Sequence, residues 1–165
     1  MSNEILGETT IVVQHVKITL AQSFERAREA FESIVPQLDA GILVLLRNGE
    51  VERAREQLER GPELAILQSR DHGSVLKIDG LARKALQYDV GNPLTASKMT
   101  RHQLAAAIYA PFRVVLYENE QGHAVFEYDK PSSLFGQFGD RRVTMVALEL
   151  DAAIGRALQR VANEA

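Results

Sequence analysis

The alternation of apolar and polar residues divides the chain into recognisable elements. From Thr9 to Leu20, Val12, Val16, Ile18 and Leu20 alternate with His15, Lys17 and Thr19, which predicts a strand. Ser23 then stands before Phe24, Ala27, Phe31 and Ile34, spaced by three and four, and Pro36 follows Val35; this predicts a capped amphipathic helix. The run Ile42 to Leu46 has no polar interruption and reads as a strand covered on both faces. Asn48-Gly49 suits a hairpin turn, but Val51, Ala54 and Leu58, with Glu–Arg partners three residues apart and a Gly61-Pro62 stop, make Glu50 to Arg60 a helix.

Strands are expected at Leu64 to Gln68 and at Ala85 to Val90, while Ser74 to Ala82 suits either helix or strand. Asn92-Pro93 is a helix entry, since Asn accepts from free amides and Pro fits the first turn. Thr100 and Gln103 offer a second capping box, so one broken helix or two short ones are expected here. Phe112 to Glu118 and His123 to Asp129 flank a polar turn with Gly122 and form the clearest hairpin. Pro131 to Gly139 reads as a loop with one helical turn. Val143, Ala147, Leu150, Ile154, Ala157, Leu158 and Val161 predict a long terminal helix.

At 165 residues and 45% hydrophobic content, the chain is expected to form a single domain spanning 1–165 with one core. It has no cysteine, which excludes disulfides, thiol nucleophiles and thiolate metal sites. The longest apolar run, Ile42 to Leu46, is too short to cross a bilayer, so no membrane partner is expected. Met1 to Thr10 carries Glu4 and Glu8 and does not read as a secretory signal, which places the protein in the cytoplasm as an expectation. With a net charge of −3 and Lys and Arg interleaved with Glu, no nucleic-acid partner is expected.

Asp71-His72-Gly73, the junction Tyr88-Asp89-Val90-Gly91-Asn92-Pro93, the stretch Ala110-Pro111-Phe112-Arg113-Val114-Val115-Leu116-Tyr117-Glu118 and Glu127-Tyr128-Asp129-Lys130-Pro131 occur in this order. Together they resemble the family known as domain of unknown function 302 over about residues 71–140. The resemblance implies a bacterial α+β domain, with a curved, mainly antiparallel sheet packed against helices in an arrangement similar to the TATA-box-binding protein. It also implies a homodimer, and no established reaction. Against that pattern, residues 42–60 read as a strand–helix insertion.

Candidate chemistry is sparse. A two- or four-residue hairpin turn would put Arg113, Val115 and Tyr117 on one face with Ala124, Phe126 and Tyr128. Such a face either lines a pocket for a small anionic or amphipathic ligand, or is the edge of the core with Arg113 stacked on a ring. A three-residue turn would remove the argument. His72, between an acid and a glycine, suits proton transfer, with Asn92 and Tyr128 as neighbours; a turn histidine is the plain alternative.

Met99 and His102 would share a helix face and suit a soft metal, or Met99 is simply core. His123, Glu127 and Asp129 would share the other hairpin face and suit a harder metal, or are a solvated face. Phe135 and Phe138 mark a packed loop or a dimer contact. No phosphate loop, nucleophile elbow or cofactor motif is present, and no cofactor is expected. The expected function is a non-catalytic, small-molecule-binding homodimer. The alternatives are an enzyme using His72 as general acid/base, and a structural or partner-binding dimer with no ligand.

Overall fold

A computed structural model describes residues 7–164. The elements are β1 (His15–Leu20), α1 (Phe24–Ile34), α2 (Ala40–Arg47), α3 (Val51–Arg60), β2 (Ala65–Asp71), α4 (His72–Val75), β3 (Ala85–Gly91), α5 (Pro93–Thr100), β4 (Phe112–Glu118), β5 (Ala124–Asp129), α6 (Pro131–Phe135) and α7 (Arg141–Asn163). The five strands form one open sheet in the order β1-β5-β4-β3-β2, every neighbour antiparallel. The fold class is α+β, with the long C-terminal helix that the spacing of Val143 to Val161 predicts.

One face of the sheet is buried. The Ser23 hydroxyl accepts from the Arg26 amide at 3.3 Å and starts α1, whose Phe24, Ala27 and Phe31 point to the sheet. α7 supplies Val143, Ala147, Leu150, Ile154, Leu158 and Val161 beside them. These meet Leu86, Tyr88, Val90, Val114, Leu116 and Phe126 in a continuous core. Phe31 lies 5.1 Å from the Tyr88 ring and 5.3 Å from Phe126, the separation of favourable tilted aromatic pairs. Two polar groups enter this core with partners: the Tyr88 hydroxyl donates to Glu32 at 2.9 Å, and the Gln22 amide donates to the Val161 carbonyl at 3.1 Å. Burial, and then the Glu32 carboxylate, push the Tyr88 phenol well above its ordinary range.

Three expectations are corrected. The stretch 42–46 is helix, not strand. Asp39 caps α2 by accepting from the Gly41 amide at 2.8 Å, and only Ile42 of the element is buried, against Ala54 and Leu58 of α3. Leu43 and Val44 are each 43% exposed, so the apolar run is not covered on two faces; residues 42–60 form a helical pair. β1 begins at His15, not Thr9, because its partner β5 ends at Asp129 and the chain turns into α6 at Pro131. The Thr100–Gln103 capping box does not form: the Thr100 hydroxyl bonds back to the Ala96 carbonyl at 3.1 Å, and a separate 3₁₀ turn, Leu104–Tyr109, follows α5. No helix among the described residues is long and apolar enough to cross a membrane.

Candidate functional site

The hairpin turn decides which side chains share a face. The Asn119 amide donates to the His123 carbonyl at 2.9 Å, and the Asn119 side chain accepts from Gln121 and His123 amides at 3.0 and 2.9 Å. This encloses Glu120, Gln121 and Gly122, with Gly122 at φ +78°, a left-handed conformation that favours glycine. A three-residue turn pairs Val114 with Tyr128 and Val115 with Glu127, so odd faces odd. The expected face of Arg113 with Tyr128 is therefore overturned: Tyr128 and Phe126 point into the core, while Arg113, Val115 and Tyr117 share the opposite face with Val125 and Glu127.

Strand β1 completes that face with His15. Its ring bridges two carboxylates, Nδ1 to Asp129 at 2.8 Å and Nε2 to Glu127 at 2.6 Å. Glu127 also accepts from the Tyr117 hydroxyl at 2.5 Å and faces the Lys17 ammonium at 3.7 Å. The hydrogen bond to Asp129 and then that to Glu127 raise the His15 pKa above 6.5. Tyr117 and His15 in turn hold Glu127 below the usual carboxylate range. The folded state thus favours the imidazolium. Stability from this bridge is fully present below about pH 6.5 and fades as pH rises through the raised value. A proton-NMR titration is expected to place His15 above the ordinary histidine midpoint; a midpoint at or below it would contradict the bridge.

A concave region of about 450 Å³ opens beside this cluster, lined by His15, Arg113, Tyr117, Glu127 and Asp129 on its polar side and by Tyr109, Pro111, Phe112 and Leu134 on its apolar side. Within it Arg113 is exposed and has no ion pair or hydrogen bond among the described residues. The nearby acids are committed elsewhere. Asp89, opposite Arg113 on β3, pairs with Arg70 at 2.9 Å, and Asp129 pairs with His15. The result is a guanidinium, with its fork of donors, beside an apolar wall: an arrangement suited to a carboxylate or phosphate group. Tyr128 lines the same region at its buried edge, 7% exposed.

The remaining candidates fall elsewhere. His72 is exposed at the start of α4, just beyond Asp71, which pairs with Leu86. Asn92 follows Gly91 at the other end of β3, so the two are separated by about 20 Å of strand. The Asp71 carboxylate does not orient His72; it caps α4, accepting from the Ser74 amide at 3.0 Å and the Ser74 hydroxyl at 2.5 Å. Asn92 caps α5 through a 2.9 Å bond from the Leu94 amide and donates to the Pro62 carbonyl at 3.2 Å.

Met99 is buried in the core, and α5 ends at Thr100, so His102 lies past the helix and does not share its face. His123 lies in the turn outside β5, and Glu127 and Asp129 serve His15; no group of three metal-ligating side chains is assembled among the described residues. Phe135 is 1% exposed and Phe138 packs against the core, so they form no exposed patch. The His15 bridge escaped sequence reasoning because its partners lie 112 and 114 residues away; the one local signal was a histidine on the polar face of an otherwise regular strand.

No curated protein matches the chain. Among solved structures, the uncharacterized conserved protein DUF302 from Bacillus stearothermophilus is similar, with a TM-score of 0.65 and 16% identity over 89% of this chain and 97% of that one. At that identity the likeness concerns the fold. The model of the family "Domain of unknown function DUF302" matches residues 49–161, which takes in α3, the whole β2-to-β5 segment and nearly all of α7. The chain belongs to the DUF302 family.

Proposed function

We propose that this protein is a non-catalytic, homodimeric domain that binds a small molecule through an anionic group held by Arg113. The observation that carries the reading is the guanidinium without an ion pair in a cavity of about 450 Å³, with the three nearby carboxylates engaged by other cations: Asp89 by Arg70, Asp129 by His15, and Glu127 by His15 and Lys17. The volume is in the range of small-ligand pockets, and the apolar wall of Pro111, Phe112 and Leu134 supplies the burial such ligands need. The non-catalytic part of the reading is supported by the placement of His72, at the far end of the sheet from Asn92. Self-association is supported by an apolar patch of Val75 on α4, Ile78 on the 3₁₀ turn Leu76–Asp79 after it, and Leu81 just beyond the left-handed Gly80, exposed by 58%, 84% and 49%.

Native mass spectrometry of gently purified protein tests both parts. The expected spectrum is a dimer with a reproducible extra mass; Arg113→Ala loses the extra mass and keeps the dimer, whereas Ile78→Glu gives monomer. A retained adduct in folded Arg113→Ala would remove Arg113 from the site. A dimer that persists in Ile78→Glu would remove this apolar patch from the interface.

A further inference from the structure

A second cavity, of about 210 Å³, lies between the sheet end, α5 and α7. Its walls are apolar: Val90, Ala96, Met99, Phe135 and Leu150. Two of the three polar side chains at its rim are already engaged, since the Asn92 amide bonds to Leu94 and Pro62 and the Tyr109 hydroxyl accepts from Gln137 at 2.7 Å, which leaves the Thr95 hydroxyl as the third. Such a space favours hydrocarbon over water, because water there would find few partners. Tyr109, Pro111 and Phe112 line both this cavity and the one that holds Arg113. The cationic site and the apolar cavity therefore adjoin across these three residues. Phe135 and Phe138 pack on the Tyr109 ring, with centroids 5.9 and 6.2 Å away, and support that shared wall.

We infer that the ligand is amphipathic: a straight-chain carboxylate whose head group pairs with Arg113 and whose hydrocarbon tail passes Tyr109 and Pro111 into the second cavity. The inference rests on the anion-binding reading of Arg113 and adds the chemical class of the ligand. The charge of the head is set by the uncompensated guanidinium. The tail is set by the apolar walls behind it.

Calorimetric titration of the full chain with acetate, butanoate, hexanoate and octanoate tests this. The affinity is expected to rise by about fourfold for each methylene that enters the cavity, following the transfer free energy of a buried methylene. Ala96→Leu, which places a larger side chain in the cavity on a helix that tolerates leucine well, is expected to abolish the rise beyond butanoate and leave acetate unchanged. Arg113→Ala is expected to weaken every member of the series about tenfold or more. Equal affinity for all four acids would overturn the amphipathic ligand and leave the anion site standing. Binding of none would overturn both. An unchanged length dependence in Ala96→Leu would place the tail elsewhere and overturn the inference; should that variant not fold, the series on the unaltered protein still decides.

Discussion

Phe31→Ala is expected to destabilise the protein by about 3–5 kcal/mol, the range for truncating a large buried aromatic. Phe31 is fully buried, its ring lies between Tyr88 and Phe126, and it stands where α1 presses on the middle of the sheet. Truncation removes both aromatic contacts and leaves a cavity between α1 and the Tyr88 and Phe126 rings, which the helix cannot follow inwards without losing its contacts with α7. Alanine's better helix propensity recovers only about 0.5 kcal/mol. For a chain of this length the melting temperature is expected to fall by on the order of 10 °C, read by circular dichroism. A fall of only a degree or two would mean that the core repacks, against the account of α1 given above.

Gly73→Ala is expected to cost about 1–3 kcal/mol, and Gly73→Val more. The reason is distance and not backbone conformation. A Cβ at this position would stand 2.3 Å from the Arg83 carbonyl oxygen and 3.2 Å from the Ala85 amide nitrogen, both main-chain atoms at the entry to β3. Neither belongs to a side chain that can swing away, so α4 must lift from the sheet. His72→Ala, by contrast, alters an exposed side chain and is expected to leave the unfolding free energy within about 0.5 kcal/mol of the original. Denaturant unfolding of the two variants separates these outcomes. Equal loss in both would mean that His72 has a structural role beyond its exposed position.

These two residues also show what the sequence carried. Asp71-His72-Gly73 stood out as a motif, and it is one, but its chemistry is a cap and a close approach: Asp71 serves the Ser74 amide and Gly73 lets α4 touch β3. Local signals were read well where they act locally. Ser23 before the Phe24–Phe31 spacing, Asn92-Pro93 before α5 and the apolar spacing of α7 each mark an element that forms there.

Reading failed where one residue of register or a distant partner decides. The Asn119 side chain closes a three-residue turn instead of a two- or four-residue one, and that one-residue difference places Tyr128 in the core and not beside Arg113. Ile42 to Leu46 is too short for periodicity to separate strand from helix, although Asp39 before it and Gly49 after it, at φ +79°, are helix boundaries visible in the sequence. Arg113 was legible as a candidate cation. That it would lack a carboxylate partner among the described residues was not, because the pairing of Asp89 with Arg70 and of Asp129 with His15 is decided by strand register, in the second case between strands at opposite ends of the chain.

The most direct test of the anion site at Arg113 is an NMR titration of the isotopically labelled protein with butanoate, following backbone amides and arginine Nε–H groups. The account predicts saturable shifts at Arg113 Nε–H and at the amides of Val115, Glu127 and Tyr109, with His72 and Gly73 unmoved. Shifts centred on His72 and Gly73, or none at Arg113 at saturating butanoate, would contradict it.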